Sequence, residues 1–268
     1  MTTLLLGDCL KVMATLPDRS VDCFVCDLPY GQLNLNAVSI ANPANNHRGS
    51  YAPTERKACD WDIKIDLVEF WKQVRRLAKD DHSPVLMFCN TKFGNELINS
   101  NPKWFRHDLV WDKGHGVSFL LANKMPMKSH EMVYVFSKAG AYYNRIDVKT
   151  DKIVYRNDGK RTGPLQTQRQ YGAKKVFGDV GLPTDERCPL SVIRSNITKS
   201  RGGHPTEKPM ELYEWLLSRY CPKDGLVLDP TAGSFNSILV AKKLGFKAIG
   251  IEKDNGFFCK GVNKLLHL

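Results

Sequence analysis

The 268-residue chain predicts an α/β fold whose mostly parallel sheet is covered on both faces by helices. Three observations carry this expectation. Apolar runs of strand length alternate with stretches of helical spacing at both ends of the chain. Four of the strand-like runs end in a turn with an acidic residue, at Asp8, Asp27, Asp229 and Glu252. The apolar fraction of 42% suffices for one large domain, or for a domain carrying a sizeable insertion.

The elements follow in order. "TLLLGD" reads as a short buried strand ending at Gly7-Asp8, and "CLKVMATLP" as a helix stopped by Pro17. "VDCFVCDLPY" is a second strand, running into a proline-stiffened turn. Residues 31–60 are rich in Asn, Gly, Ser and Pro and predict a long loop, of a length that is usually functional or disordered. "DLVEFWKQVRRLAK" has helical spacing, "SPVLMFCN" is a third strand, and "HDLVWDK" and "EMVYVFSK" are a fourth and a fifth. From Ala139 to about Arg201 apolar density falls and basic residues accumulate, among them Arg145, Lys149, Lys174, Lys175, Arg187 and Arg194. This stretch predicts an inserted basic segment, part strand and part loop. The α/β pattern then returns: helix "MELYEWLLSRYC", strand and turn "GLVLDPTAGS", helix "FNSILVAKKLG" closed by Gly245, strand "KAIGIEKD" and helix "NGFFCKGVNKLL".

The formal net charge is +11 and the pI about 9.2, which suggests a polyanionic partner, nucleic acid first and a membrane surface second. The N-terminus lacks the basic region and cleavage site of a signal peptide, and no apolar run approaches the roughly 18 residues that span a bilayer. Eight scattered cysteines fit a reduced, cytoplasmic protein. Cys23 and Cys26 form a C-x-x-C inside a strand pattern with no second pair, so buried strand thiols are expected rather than zinc or redox chemistry, and no metal site is expected.

Two constellations carry chemistry. In the first, "LVLDPTAGS" followed by "AIGIE" gives a strand, turn and helix leading to a strand tipped by Glu252. In dinucleotide-type folds an acid at that distance accepts hydrogen bonds from ribose hydroxyls. Asp229-Pro230-Thr231-Ala232-Gly233 is not G-x-G-x-x-G, and no P-loop occurs. The ligand therefore carries a ribose without needing a phosphate grip, and S-adenosylmethionine fits that description. In the second, "DLPY" places a carboxylate, a fixed turn and an aromatic ring together at Asp27 to Tyr30. The carboxylate and a backbone carbonyl can accept hydrogen bonds from an exocyclic amino group. The ring offers a face for a base, worth roughly 1–3 kcal/mol and offsetting part of the few kcal/mol needed to flip it.

With these motifs the chain resembles the amino-methylating DNA methyltransferases. "DLPY" resembles their [D/N/S]-P-P-[Y/F/W] tetrapeptide, "DPTAGSFNS" their D-P-F-x-G-x-G-like turn, and "HPTEKP" at 204–209 their H-P-x-x-K-P segment. "GDCLKVMATLPDRSVD" and His130-Glu131 match as well, and the order, catalytic half first, is that of the beta class. The resemblance covers nearly the whole chain. There are three departures: Leu28 replaces a proline but keeps the backbone carbonyl, Thr231 stands where Phe is frequent, and Phe235 stands near the second glycine of the turn.

The resemblance implies a Rossmann-like S-adenosylmethionine-dependent fold with a mostly parallel seven-stranded sheet and circularly permuted motifs. It divides the chain into a catalytic half (1–138), an inserted basic target-recognition region (139–201) and a cofactor-binding half (202–268). The implied catalytic residues are Asp27, Leu28, Pro29 and Tyr30, and the implied cofactor set is Asp8, Cys9, Asp27, Thr206, Lys208, Asp229, Thr231, Gly233, Ser234 and Glu252. Within that set Asp8 lies near the adenine, Glu252 holds the ribose, and Thr206 and Lys208 lie near the methionine end. His204 is as readily a capping residue as a contact, and Trp61, Trp104 and Trp111 are expected in the core. The implied reaction is direct displacement at the sulfonium methyl by an amino group of double-stranded DNA, by a monomer or homodimer. Aspartate at the head of the tetrapeptide points to adenine N6. Cytosine N4, an RNA or protein amide, and a basic DNA-binding protein without catalysis are the alternatives.

Overall fold

The computed structural model describes residues 1–31, 62–117, 119, 122–155, 183–196 and 207–267. The long loop expected at 31–60 lies outside them except for Gly31, as do Trp61, His204 and Thr206. Two units are present, one of Met1–Asn144 with Ser191–Leu268, the other of Arg145–Leu190.

The first unit is built on β1 (Thr2–Leu6), α1 (Cys9–Met13), β2 (Cys23–Cys26), α2 (Leu67–Leu77), β3 (Val85–Cys89), α3 (Thr91–Ser100), β4 (Phe105–Val117) and β5 (Lys128–Phe136). The second unit holds β6 (Val148–Tyr155) and β7 (Pro183–Arg187), paired antiparallel. The chain returns to the first unit with β8 (Val192–Arg194), α4 (Met210–Tyr220), β9 (Leu226–Asp229), α5 (Asn236–Lys243), β10 (Lys247–Glu252) and α6 (Asn255–Leu266).

The main sheet runs β1-β10-β9-β2-β3-β5-β4-β8. Its first five strands are parallel, β5 is antiparallel to both neighbours, and β8 is parallel to β4. The sheet thus has eight strands, not the seven expected. The extra strand follows from the length of β4, whose 13 residues would leave a row of bare peptide groups at the sheet edge. Val110 N–H donates to Ser191 O at 2.8 Å, Ser195 N–H donates to Asp112 O at 3.1 Å, and Ile193 is buried between them.

Alternation along each central strand feeds two cores, one per face. Cys23 and Val25 join Leu86, Trp111 and Val133 beneath α4 and α5, while Phe24 and Cys26 join Met87, Phe70 and Trp71 beneath α1 and α2. Cys23 and Cys26 therefore belong to opposite faces of the sheet, and their thiols do not face one another. Trp111 is core, as expected, and Trp104 packs edge-on against Trp71 at 6.1 Å.

The first unit includes residues 139–144. Residues 139–144 are tied to the first unit by Ala139 N–H to Asp81 O, Tyr142 N–H to His82 O and Asn144 N–H to Arg219 O. Helix α3 went unforeseen because Gly94, Asn95 and Asn99 dilute its pattern. Asn90 caps it by accepting from Phe93 N–H at 2.9 Å. The glycine is needed, since a Cβ at Gly94 would lie 2.6 Å from the Tyr134 ring.

Candidate active site

Strands β2 and β9 are parallel neighbours, with Phe24 opposite Leu228. From this pair the chain proceeds outward in both directions, from β2 to β3 and from β9 to β10. Such a switch point opens a crevice beyond the carboxyl ends of the strands, where ligands bind in α/β sheets. Asp27 follows the last residue of β2, Asp229 ends β9 and Glu252 ends β10, so these three acids lie at the carboxyl edge of the same sheet.

Beyond β2, Asp27 Oδ1 accepts from the Tyr30 hydroxyl at 3.0 Å and Oδ2 accepts from the Lys208 ammonium at 2.6 Å. Leu28 is 2% exposed, so its side chain anchors the tetrapeptide in the core. Pro29 is half-buried beside it. The Tyr30 ring stacks on Phe93 with centroids 5.0 Å apart and planes 27° apart. Burial, followed by the Asp27 charge, pushes the Tyr30 phenol well above its usual range, which keeps its proton on the oxygen. Gly31, left-handed at φ +65°, turns the chain and donates its N–H to Asp62 Oδ1 at 2.9 Å.

Lys208 is only 6% exposed. Burial works against its charge, but the carboxylates of Asp27 and Glu131 outweigh it and hold the ammonium above its ordinary pKa. Glu131 mirrors this: burial raises its pKa, and Lys208 and Lys113 more than reverse the effect. Lys113 donates to Glu131 Oε1. A buried row of alternating charge, Lys113, Glu131, Lys208 and Asp27, thus runs into the crevice.

The cofactor end is built differently. Glu252 Oε2 accepts from Gly233 N–H at 2.8 Å, and Oε1 accepts from Asp254 N–H at 2.7 Å. Gly233 reaches this position with φ +48°. Asp229, 2% exposed, accepts from Thr231 N–H at 3.0 Å and from the Ser237 hydroxyl. Among the described residues neither acid forms an ion pair. Burial lifts Asp229 to about 7 and raises Glu252 as well. The Thr231 hydroxyl donates to the backbone carbonyl of Asp27 at 3.1 Å, joining the cofactor turn to the catalytic tetrapeptide. Ser234 O accepts from Lys264 at 3.2 Å.

Asp8 caps α1 by accepting from Leu10 and Lys11 N–H, and Gly7 N–H donates to Glu252 O at 2.9 Å, which sets the Asp8 turn beside Glu252. Cys9 follows as a buried thiol raised to about 12, by burial first and then by Asp8. These residues fit S-adenosylmethionine. A carboxylate held by backbone donors and free of any cation keeps lone pairs for neutral ribose hydroxyls, and the turn offers no phosphate grip.

Phe235 answers for the missing glycine. It caps α5 in the left-handed region at φ 61° and ψ 17°, which is uncommon for a bulky residue. Its ring is fully buried against two other glycines: a Cβ would meet it at 2.9 Å from Gly250 and at 2.0 Å from Gly261. Three residues at the site escaped sequence reasoning as functional groups. Phe93 lies on the unforeseen helix. Glu131 carried only the "HE" signal, and Lys113 lay unremarked in "WDK".

The comparisons agree with this geometry. The profile of the N6/N4 family, described as DNA methylase, matches residues 21–261. The chain is 37% identical over 306 residues to the Type II methyltransferase M.HindIII of Haemophilus influenzae strain Rd, covering 97% of this chain and 93% of the relative. It is 26% identical to M.HinfI of Haemophilus influenzae, covering 96% of this chain and 66% of that protein. The fold matches the crystal structure of the M1.HpyAVI–SAM complex with a TM-score of 0.56 at 16% identity, covering 99% of this chain and 100% of that one. The chain belongs to the N6/N4 DNA methylase family and is an S-adenosylmethionine-dependent DNA methyltransferase.

Proposed function

We propose that the chain methylates the N6 amino group of an adenine flipped out of double-stranded DNA at a specific sequence. The observation that carries this reading is Asp27, a carboxylate at the switch point, flanked by a tyrosine ring whose one face is already taken by Phe93. In this reading the flipped base takes the other face. S-adenosylmethionine supplies an electrophilic methyl group when bound. The chain does the rest. Asp27 and the Leu28 carbonyl accept hydrogen bonds from the amino group, pull the nitrogen toward tetrahedral geometry and stabilise the positive charge that develops on it. Gly233 and Asp254 hold Glu252 toward the ribose. Thr231 locks the turn to Asp27, which fixes the relative placement of the two substrates.

The named relatives are Type II methyltransferases, which supports site-specific modification of the kind paired with restriction. Among the described residues no helix is long and apolar enough to cross a membrane. A cytoplasmic location and a monomeric or homodimeric state belong to the same proposal. The basic segment at 139–201 is the target-recognition region in this reading, supported by its density of lysine and arginine. Its Gln166, Gln168, Gln170, Lys174 and Lys175 lie outside the described residues. The test is incubation with unmethylated plasmid and labelled donor, digestion to nucleosides and identification of the modified base by mass. N6-methyladenine is the expected product. N4-methylcytosine would move the reading to the other branch of the family, and donor binding without transfer would leave a DNA-binding protein.

A further inference from the structure

The row of charge behind Asp27 has a gap. Lys208 donates to Asp27 Oδ2 at 2.6 Å, while Glu131 Oε2 lies 3.6 Å from the same ammonium. That oxygen is buried and accepts no hydrogen bond among the described residues, although the other oxygen of its carboxylate is held by Lys113. The structure therefore places one buried ammonium between two carboxylates, bonded to one and just beyond hydrogen-bond reach of the other. Lys113, itself 7% exposed and 4.9 Å over the Trp111 ring, is fixed by burial and so holds Glu131 still.

This arrangement matters for an amino group arriving at Asp27. The nitrogen gains positive charge on the way to the transition state, and an ammonium locked on the receiving carboxylate repels that charge and weakens the carboxylate as an acceptor. The buried vacant acceptor offers the ammonium somewhere to go at a displacement of about 1 Å or less, judged against ordinary charge-assisted hydrogen-bond lengths. A residue that only balanced charge would not need an empty oxygen pointed at the lysine.

We propose that Glu131 is a positioning residue that draws Lys208 off Asp27 when the target amino group takes the carboxylate. Lys208 is thus a shuttle between two acceptors, bonded to Asp27 in the empty site and to Glu131 Oε2 in the loaded one. The inference rests on the amino-group reading above and adds to it the group that clears the acceptor.

The test is a double-mutant cycle on the full chain with plasmid DNA and S-adenosylmethionine. Glu131→Gln should lower kcat roughly 10- to 100-fold, the scale seen for supporting residues around reactive centres, while KM for DNA and the dissociation constant for the donor stay within about threefold. Glu131→Asp keeps the charge and should recover part of kcat. In a Lys208→Gln background, where no ammonium remains to be moved, Glu131→Gln should change kcat by less than about twofold. If Glu131→Gln alone fails to fold, because it strands the Lys113 ammonium, the same cycle is run in Lys113→Gln with the same expectations. An unchanged kcat in Glu131→Gln, or losses that simply multiply in the double variant, would overturn the proposal. The base modified by the wild-type enzyme is scored separately by mass. N6-methyladenine with a failed cycle removes only the shuttle, and a different product removes the reading beneath it.

Discussion

Two neighbouring strands end in carboxylates that the protein treats in opposite ways. Asp27, after β2, is paired with a buried ammonium and a phenol. Asp229, at the end of β9, and Glu252, on the strand beyond, take backbone N–H groups and a serine hydroxyl, with no cation among the described residues. The first acid is ion-paired with the Lys208 ammonium, and the other two are pushed toward neutrality by burial. The difference follows from what each must hold. A nitrogen that becomes cationic needs a full negative charge beside it, and that charge needs compensation while the site is empty. Ribose hydroxyls need only fixed acceptors, which peptide groups orient at no cost in counter-ions.

The comparison breaks most readily at Asp27. Asp27→Asn removes the charge but little volume, and should reduce single-turnover methylation by about 10³-fold or more with donor binding changed only a few-fold, since the lost interaction matures in the transition state. At the other end, Phe235→Ala should cost about 3–5 kcal/mol of stability in urea unfolding, because it empties the space shaped by Gly250 and Gly261. Tyr30 sharpens the contrast. Tyr30→Ala should lower kcat/KM about 10- to 100-fold through lost stacking worth roughly 1–3 kcal/mol. Tyr30→Phe keeps the ring and loses one hydrogen bond to Asp27, for a few-fold effect at the usual net worth of about 0.5–1.5 kcal/mol. Equal damage from the two variants would put the hydroxyl, not the ring, at the centre.

A further effect is on pH. Asp229 is lifted from 3.8 to about 7, so the fold binds its proton more tightly than the unfolded chain does. Its contribution to stability is full below the ordinary carboxylate range and is lost as pH rises through about 7. Asp229→Asn should remove that slope. The urea midpoint of the wild type should fall relative to the variant's between about pH 5 and about pH 8, and parallel curves would show that Asp229 does not titrate there.

Much of this site could be read from the chain because its acids sit at strand ends, where local sequence marks both the strand and the turn. Asp27, Asp229 and Glu252 all announce themselves that way. Lys113 and Glu131 do not. They lie 18 residues apart on antiparallel strands, and only the pairing of Trp111 with Glu131 brings them together. Strand β8 escaped notice because three residues carry no period, and it forms because β4 needs a partner. Phe93 was hidden by the glycine that makes room for Tyr134. Phe235 was legible as a departure from the family pattern but not as a solution to it, because Gly250 and Gly261 lie far along the chain.

The order β1-β10-β9-β2 also bears on how the protein is made. Among the described strands β1 pairs with β10 alone, in a register from Thr2 opposite Ala248 to Leu6 opposite Glu252. The second strand likewise lacks its β9 neighbour until residues 226–229 emerge. A nascent chain stalled before that point holds Asp27 on a sheet open on one side, without Thr231 on its carbonyl or Lys208 on its carboxylate. Loop closure over more than two hundred residues makes this a late and slow step. The expected consequence is that a chain truncated before Lys208 transfers no methyl group, because Asp27 then lacks both Thr231 on its carbonyl and Lys208 on its carboxylate.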